Sequence, residues 1–487
     1  MNSQNILLVN PWIFDFAAYD FWIKPIGLLS IGHYLEQHGY RTYLIDCLDR
    51  FHPLIPKTKQ KKYGTGKFIR TEVEKPAILK HIPRKYCRYG LPLEAFFAAL
   101  DQIPQPAAIL VTSGMTYWYP GPQFAIRLLR ERFPNTMIAL GGIYATLCYD
   151  HALRHAGADI VIKGPGEIAA LKMLDKLTGN DRTIDDRNLE FPTPTYHYYQ
   201  KLISVPVITS MGCPYRCSFC ASHLIAGKFR QRDPEMVIEE IEYYYRRRHV
   251  RHFAFYDDAL LINQERHLSA ILDTIIERKL HLDFHTPNGM HAKEITPDLA
   301  KKMFQANFKT IRLSFETVNP ARRPDIGNKI DEDALANALD YLEQAGYRRK
   351  EIDTYVIMGL PNQSVDEVVE GLLFVIGLGS KAKLTSFSPI PGTLDWDRAV
   401  QSGNLDPDID PLLTNNSIFP LRRADFTYDM FQKVKNLAKV LNYGLDHGIN
   451  LFDRSFLARI AASVIRRGEA ISSIVHHDTG KQMFTSH

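Results

Sequence analysis

The sequence predicts an α/β protein made of two parallel sheets in tandem: a doubly wound sheet, then a partial (β/α)6 barrel, then a helical C-terminal region. Three observations predict it. Apolar, β-branched runs alternate with segments whose apolar residues recur at helical spacing, giving five strands before residue 185 and six after residue 203. Residues 186–203, rich in Pro and Tyr and without periodicity, separate the two series. Beyond residue 398 the pattern is helical. The expected organisation is a sheet domain at 1–185 with an insertion at 51–102, a linker at 186–203, a barrel at 204–398 and helices at 399–487.

Composition narrows the class. The chain has 487 residues, enough for two or three domains, each with its own core. Its 59 basic and 54 acidic residues leave a net charge of only +5, and no tract is basic enough for a nucleic-acid arm. Arg246 to Arg248 and residues 348–350 read as solvated helix ends or turns. Six cysteines in a chain of this size point to a reducing, cytoplasmic setting rather than a disulfide scaffold. The start, MNSQNILLVNPW, lacks the basic segment and long apolar run of a signal peptide. No apolar run approaches the roughly 18 residues that span a bilayer. The longest, GLLFVIGLG at 371–379, reads as a buried helix end.

In the first region, NILLVNPW (5–12) is a strand, PIGLLSIGHYLEQHGY (25–40) a helix closed by Gly39, and RTYLIDC (41–47) a second strand. The unit resumes with AAILVTSGM (107–115), a helix FAIRLLRERF (124–133), TMIALGG (136–142), a helical ALRHAG (152–157) and ADIVIKGPGE (158–167). Ligands of such sheets bind beyond the carboxyl ends of the strands. Those ends carry Ser113-Gly114-Met115, Gly141-Gly142 and Gly164-Pro165-Gly166-Glu167, whose glycines let a large ligand approach the backbone. None forms G-x-G-x-x-G, which disfavours a nicotinamide site. The insertion is too long and aromatic for a plain loop and is expected to cap the sheet or contact substrate. Tyr117-Trp118-Tyr119 reads as core or interface.

In the second region the strands are expected at 205–210, 252–258, 282–289, 309–317, 351–361 and 383–393, with helices starting near Pro234, Asn263, Pro297, Asp331 and Ser364. Asp331 and Ser364 suit helix N-caps. The active site of such a barrel lies at the carboxyl ends of its strands. There the first strand runs into MGCPYRCSFC, where Cys213, Cys217 and Cys220 form C-x3-C-x2-C. Three neighbouring thiolates can each bind one iron of a cubane cluster, and since clusters usually have four cysteines, a set of three leaves one iron open. A zinc knuckle or three unrelated core thiols are the alternatives; zinc sites usually add a second pair or histidines. Asp257 and Asp258 end the second strand and, being adjacent, face opposite ways, so one of them is expected to act. Asn288-Gly289, Glu316-Thr317, Gly359-Leu360-Pro361 and residues 389–392 end the others.

The cysteine spacing, with Phe219 before the last cysteine, resembles the radical S-adenosylmethionine (SAM) superfamily. The ordered Ser-x-Met, Gly-Gly and G-x-G-E stretches resemble cobalamin-binding, Rossmann-like domains. Together they resemble radical SAM proteins with a cobalamin domain, over residues 5 to 395. The resemblance implies that Cys213, Cys217 and Cys220 hold a [4Fe-4S] cluster whose open iron takes the amino and carboxylate groups of SAM. It places Phe219 on the adenine, Ser314 and Glu316 at the ribose, and Met358, Gly359 and Leu360 packing on the adenine. Tyr256, Asp257 and Asp258 stand where the family has a Gly-Gly-Glu stretch for the methionine amine, although this chain has no glycines there. Ser113, Gly114, Met115, Gly141, Gly142, Gly164 and Glu167 would form the cobalamin edge. The family's D-x-H-x-x-G, whose histidine ligates cobalt, is replaced by Asp46-Cys47-Leu48-Asp49-Arg50-Phe51, with His52 out of register. Cobalamin is therefore expected without a protein histidine on cobalt.

The implied activity starts from one electron supplied by a donor such as flavodoxin or ferredoxin. SAM is cleaved to methionine and a 5′-deoxyadenosyl radical, and an unactivated carbon of a small-molecule substrate is methylated. Alternatives are a cyclase, oxidase or rearrangement enzyme without methyl transfer, and a radical SAM enzyme whose cobalamin domain is vestigial. A second cluster on Cys47, Cys87 and Cys148 for sulfur insertion is disfavoured by their wide spacing. A non-catalytic cobalamin sensor lacks any signalling or DNA-binding module. Helices at 427–448 and 455–468 would close the barrel mouth, and His476-His477 reads as solvent-exposed.

Overall fold

The computed structural model describes residues 4–56, 60–180, 182, 191, 193–327, 332–448 and 462. The first sheet contains β1 (Asn5–Asn10), β2 (Arg41–Asp46), β3 (Ala108–Val111), β4 (Met137–Leu140) and β5 (Ile160–Val161). All pairings are parallel and the order is β5-β4-β3-β1-β2. Ile6, Leu7, Leu8 and Val9 are fully buried because both faces of the sheet are covered. Alternation sorts them: Leu7 and Val9 face one core with Ile45, Ile109 and Leu140, while Ile6 and Leu8 face another with Leu28 and Leu35. Helix α1 (Ile26–Gln37) covers the second face, and α2 (Pro120–Arg132) the first. Gly32 lets α1 settle, since a Cβ there would meet Leu8 Cδ1 and the Tyr198 hydroxyl at 2.6 Å. Strand order reverses direction between β1 and β3, which opens the ligand crevice at their carboxyl ends.

The second sheet runs in sequence order and is parallel throughout: β6 (Ser204–Val207), β7 (His252–Phe255), β8 (Asp283–His285), β9 (Phe308–Glu316), β10 (Ile352–Met358) and β11 (Lys381–Ser386). β6 and β11 do not pair, so this is the expected open, six-unit barrel. Around it lie α3 (Pro234–Arg248), α4 (Leu268–Glu277), α5 (Pro297–Gln305), α6 (Glu332–Gln344) and α7 (Val365–Gly377). Ser364 caps α7 by accepting from Glu367 N–H at 3.1 Å, as its position suggests; Asp331 lies outside the described residues. Two expectations need correction. The third strand ends at His285, and Met290–His291 pairs separately with β9; between them Pro287 has no N–H to carry the ladder on. α4 begins at Leu268, not near Asn263, which adopts φ +54 inside a run of turns.

The insertion packs over the first sheet, with Leu79, Ile82, Tyr86 and Phe96 in its core, as a cap would. Its strands pair Cys87–Tyr89 with Ile13–Asp15 and Arg70–Glu72, and Gly66–Lys67 with Tyr19–Asp20. Its Tyr63, together with Trp22 of the segment before α1, also reaches the barrel. Trp22 stacks on the fully buried His285 at 4.2 Å and donates to the Tyr63 carbonyl at 2.7 Å, while Tyr63 lies 5.0 Å from the same imidazole. Desolvation and the neighbouring His252 push the His285 imidazole down to about 3, so the ring stays neutral against its aromatic partners. The linker is not structureless: Tyr196 and Tyr199 are buried, and Tyr199 donates to Asp46 at 2.7 Å.

After the barrel, α8 (Leu394–Gln401) is followed by an extended strap rather than continuous helix. The strap returns to the first sheet, where Asn415 donates to Asp15 at 2.9 Å and Asp410 accepts from Tyr119 at 3.0 Å. α9 (Tyr428–Asp446) then covers β11, the open edge, and Asn442 pairs with both the N–H and carbonyl of Ala382. The expected helix at 455–468, apart from residue 462, and His476-His477 lie outside the described residues. No helix among the described residues is long and apolar enough to cross a membrane.

Trp22→Ala removes a buried indole that joins the two halves. We expect a loss of about 3–5 kcal/mol, read as an earlier urea-unfolding transition.

Candidate functional site

The cysteine loop leaves the carboxyl end of β6 on a small hairpin, in which Ser210–Met211 pairs antiparallel with Arg230–Gln231. Gly212 turns the chain at φ +75, and a Cβ there would press on the Gly227 carbonyl at 3.2 Å. Cys217 is buried, while Cys213 and Cys220 are partly exposed to the mouth of the barrel. Cys220 N–H donates to the Cys217 carbonyl at 3.0 Å, and Ser222 N–H approaches the Cys220 sulfur at 3.5 Å. One short loop thus presents three thiols where the barrel places its chemistry.

The two aspartates at the end of β7 divide as the pleat requires. Asp257 is buried, and its Oδ1 accepts from Thr209 N–H (3.0 Å), Thr209 Oγ1 (2.7 Å), Ser210 N–H (2.5 Å) and Ser210 Oγ (2.7 Å). Its Oδ2 is buried and takes no hydrogen bond from any described residue. Burial outweighs those donors and pushes the carboxyl up to about 6. Asp258 is exposed and accepts from Ser222 Oγ beside the cysteines. The Tyr256 hydroxyl is turned away, donating to the Phe21 carbonyl at 2.6 Å between the two halves of the molecule.

Further round the mouth, Ser314 and Glu316 are both buried on β9, and Glu316 adopts the left-handed φ of +71 where the register with β10 shifts. A non-glycine residue held there is strained and redirects the strand end. Met358 lies in the main barrel core. The N–H groups of Gly359 and Leu360 both donate to Gln363 Oε1, at 2.7 and 3.2 Å. Phe219 and Leu360 share an apolar cluster with Ile357 and Phe387.

At the sheet edge, Ser113 Oγ donates to the Gly141 carbonyl at 2.6 Å and accepts from Ala145 N–H at 3.3 Å. Gly142, at φ +95, lies so close to Ser113 that no Cβ would fit. Gly114 is half-covered by Trp118, whereas Met115 is 47% exposed. Nothing comes within 4 Å of where a Cβ would stand on Gly141 or Gly164. Glu167 is buried in the first turn of its helix, Glu167–Thr178, and burial raises its carboxyl. The short helix Ile143–Leu147, which starts at this edge, packs on Ser222–Ile225, which follows Cys220. The open edge of the sheet and the cysteine loop therefore face one another. Leu48, where the cobalamin-domain pattern has histidine, is buried with Ile13, Phe68, Cys87 and Tyr89.

The supporting residues Thr209, Ser210, Ser222, Asp325, Gln363 and Asp395 escaped the sequence reading. Only the hydroxyls around the cysteines, Thr209-Ser210 before them, Ser218 among them and Ser222 after them, hinted at them.

Comparison with known proteins agrees with this geometry. Residues 207–375 match the model of the Radical SAM superfamily. An uncharacterised methyltransferase of Pyrococcus horikoshii is 26% identical over 302 residues, 56% of this chain and 64% of that protein. The anaerobic magnesium-protoporphyrin IX monomethyl ester cyclase of Synechocystis is 26% identical over 272 residues, 50% of this chain and 46% of that one. The match thus spans less than two thirds of the length of either relative. The radical SAM methyltransferase TsrM from Kitasatospora setae, solved with cobalamin and a [4Fe-4S] cluster bound, covers 98% of this chain and 100% of its own. Its TM-score is 0.63 at 13% identity, a likeness of fold. Residues 207–375 are thus similar to the Radical SAM superfamily, and the chain as a whole shares the fold of TsrM.

Proposed function

We propose that the chain is a cobalamin-dependent radical SAM enzyme that methylates an unactivated carbon of a small molecule, drawing its electron from a flavodoxin or ferredoxin in the cytoplasm. The observation that carries this reading is the cysteine loop at the barrel mouth facing a glycine-opened sheet edge. The residues present suit each group. Cys213, Cys217 and Cys220 offer three thiols to a [4Fe-4S] cluster. The unpartnered, buried Asp257 Oδ2 suits the ammonium of SAM, with Asp258 beside it. Gly141 and Gly164 leave a bare main-chain cradle for cobalamin, and Gly142, packed on Ser113, ties that cradle together. The buried Leu48 leaves the cobalt without an imidazole from this stretch.

When bound, these groups supply hydrogen abstraction from an unactivated carbon and a transferable methyl group. The chain binds, orients and shields them. Phe219 and Leu360 form an apolar wall for the adenine, with Met358 and Gly359 backing it from the core. Ser314 and Glu316 offer polar groups to the ribose hydroxyls. Gly114, Met115 and Glu167 line the sheet edge on either side of the cradle. A second reading retains both cofactors but forms a ring or oxidises without methyl transfer; the similarity to the Synechocystis cyclase supports it. Methyl transfer from labelled SAM to product separates the two readings.

Three outcomes test the assignment. Anaerobic reconstitution should give about four irons per chain, and Cys213→Ala should abolish SAM cleavage to 5′-deoxyadenosine; cleavage retained in that variant would sink the proposal. Gly141→Leu should fold normally, because its Cβ enters open space. It should lose corrinoid affinity by about tenfold or more through overpacking; unchanged corrinoid retention would leave the sheet edge vestigial. Finally, the folded chain holds the Asp257 proton more tightly than the unfolded chain, with a pKa near 6 against an ordinary 3.8. Stability of the unliganded protein should therefore fall by about 3 kcal/mol as pH rises from about 4 to about 6, and be level above. Asp257→Asn, which offers one acceptor oxygen to the same four donors, should flatten that slope in urea unfolding.

A further inference from the structure

We propose that Asp395, on α8 beyond the barrel, is a positioning residue for the cysteine loop and thereby sets the environment of the cluster; this rests on the cluster reading above. Ser218 lies between Cys217 and Cys220 and is 5% exposed, with every one of its polar groups occupied. Its N–H donates to the Asp325 carbonyl at 2.7 Å. Its hydroxyl donates to Asp395 Oδ2 at 2.8 Å, and its carbonyl accepts from Asp395 N–H at 3.0 Å. Asp395 is 2% exposed, and its Oδ1 accepts from Arg398 Nη1 at 3.0 Å. Arg398 Nη2 donates in turn to Asp325 Oδ1 at 2.8 Å.

The contacts close a ring. The loop bonds residue 325 and residue 395, and Arg398 joins those two to each other. Reciprocal bonding through both the backbone and the side chain of Asp395 fixes the Ser218 peptide against rotation. The Cys220 N–H bond to the Cys217 carbonyl carries that restraint to both thiols. The buried carboxylate is balanced by a guanidinium on its own helix, so the ring holds its charge without drawing on the cysteines. Groups that orient metal ligands from behind typically change metal affinity or activity by 10–100-fold when removed. Hydrogen bonding and exposure around the sulfurs also tune a cluster's potential. The helix that follows the last barrel strand is therefore a structural partner of the loop that follows the first.

The test uses the full chain, reconstituted anaerobically, with iron release to a ferrous chelator, the cluster's reduction potential, and the electron paramagnetic resonance spectrum of the reduced cluster with and without SAM. Asp395→Ala and Ser218→Ala should speed iron release by about 10–100-fold and broaden or shift the spectrum. Asp395→Asn, which keeps an acceptor for the Ser218 hydroxyl, should stay within about threefold of wild type. Asp397→Ala, an exposed position on the same helix, should match wild type. Wild-type release and spectra in Asp395→Ala would overturn the proposal, and so would equal damage from Asp395→Ala, Asp395→Asn and Asp397→Ala, which would mark general loss of the helix. A wild-type chain that takes up no iron would overturn the cluster reading itself.

Discussion

The relative placement of the two ligand-facing edges depends on one buried carboxylate. Asp46 ends β2 and receives Asn10 Nδ2 at 2.6 Å, Leu48 N–H at 2.9 Å and the Tyr199 hydroxyl at 2.7 Å. Lys24 lies 4.0 Å from it and 3.9 Å from the centre of the Tyr199 ring. Asn10 brings β1, Leu48 the following loop, Lys24 the entry to α1, and Tyr199 the connection to the barrel. Burying a carboxylate is costly unless its oxygens are satisfied, and here each partner comes from a different segment. Moving any one segment strands the charge. The angle between sheet and barrel is thus held by a polar centre, while apolar packing supplies the bulk of the stability.

The same logic recurs at smaller scale around the mouth. Asp257 gathers the turn before the cysteines with one oxygen and leaves the other bare. Asp395 holds the loop between the cysteines with one oxygen and its own N–H, and gives the other oxygen to Arg398. One carboxylate is left incomplete beside the ligand space, and the other is complete behind it. A buried polar atom without a partner is rare in folded proteins and calls for an explanation. The ammonium of SAM, in the function proposed above, would supply one.

What the sequence disclosed followed from local chemistry. β1 reads as a strand because four consecutive apolar residues are needed where both faces are covered, and the barrel reads as six units because each helix repeats its apolar stripe. The C-x3-C-x2-C loop and the glycines at the sheet edge stand out for the same reason. What stayed hidden was set by distance along the chain. Nothing around Trp22 announces a stack on His285, nothing at Asp395 points to Ser218 177 residues earlier, and the strap's aspartate and asparagine look like ordinary turn residues. The early end of the third barrel strand at His285, by contrast, is written locally, in Pro287-Asn288-Gly289, where proline supplies no N–H to the ladder.

The strap has a consequence for how the chain is made. Asp15 emerges early from the ribosome, but its partner Asn415 follows 400 residues later. At about 5–20 residues per second, that is an interval of roughly 20–80 s. Throughout it the first sheet can form its strands while the face around Asp15 and Tyr119 stays uncovered. The first domain made is therefore sealed only after the whole barrel has been synthesised, and a nascent chain stalled within the barrel presents that face to chaperones and to other chains.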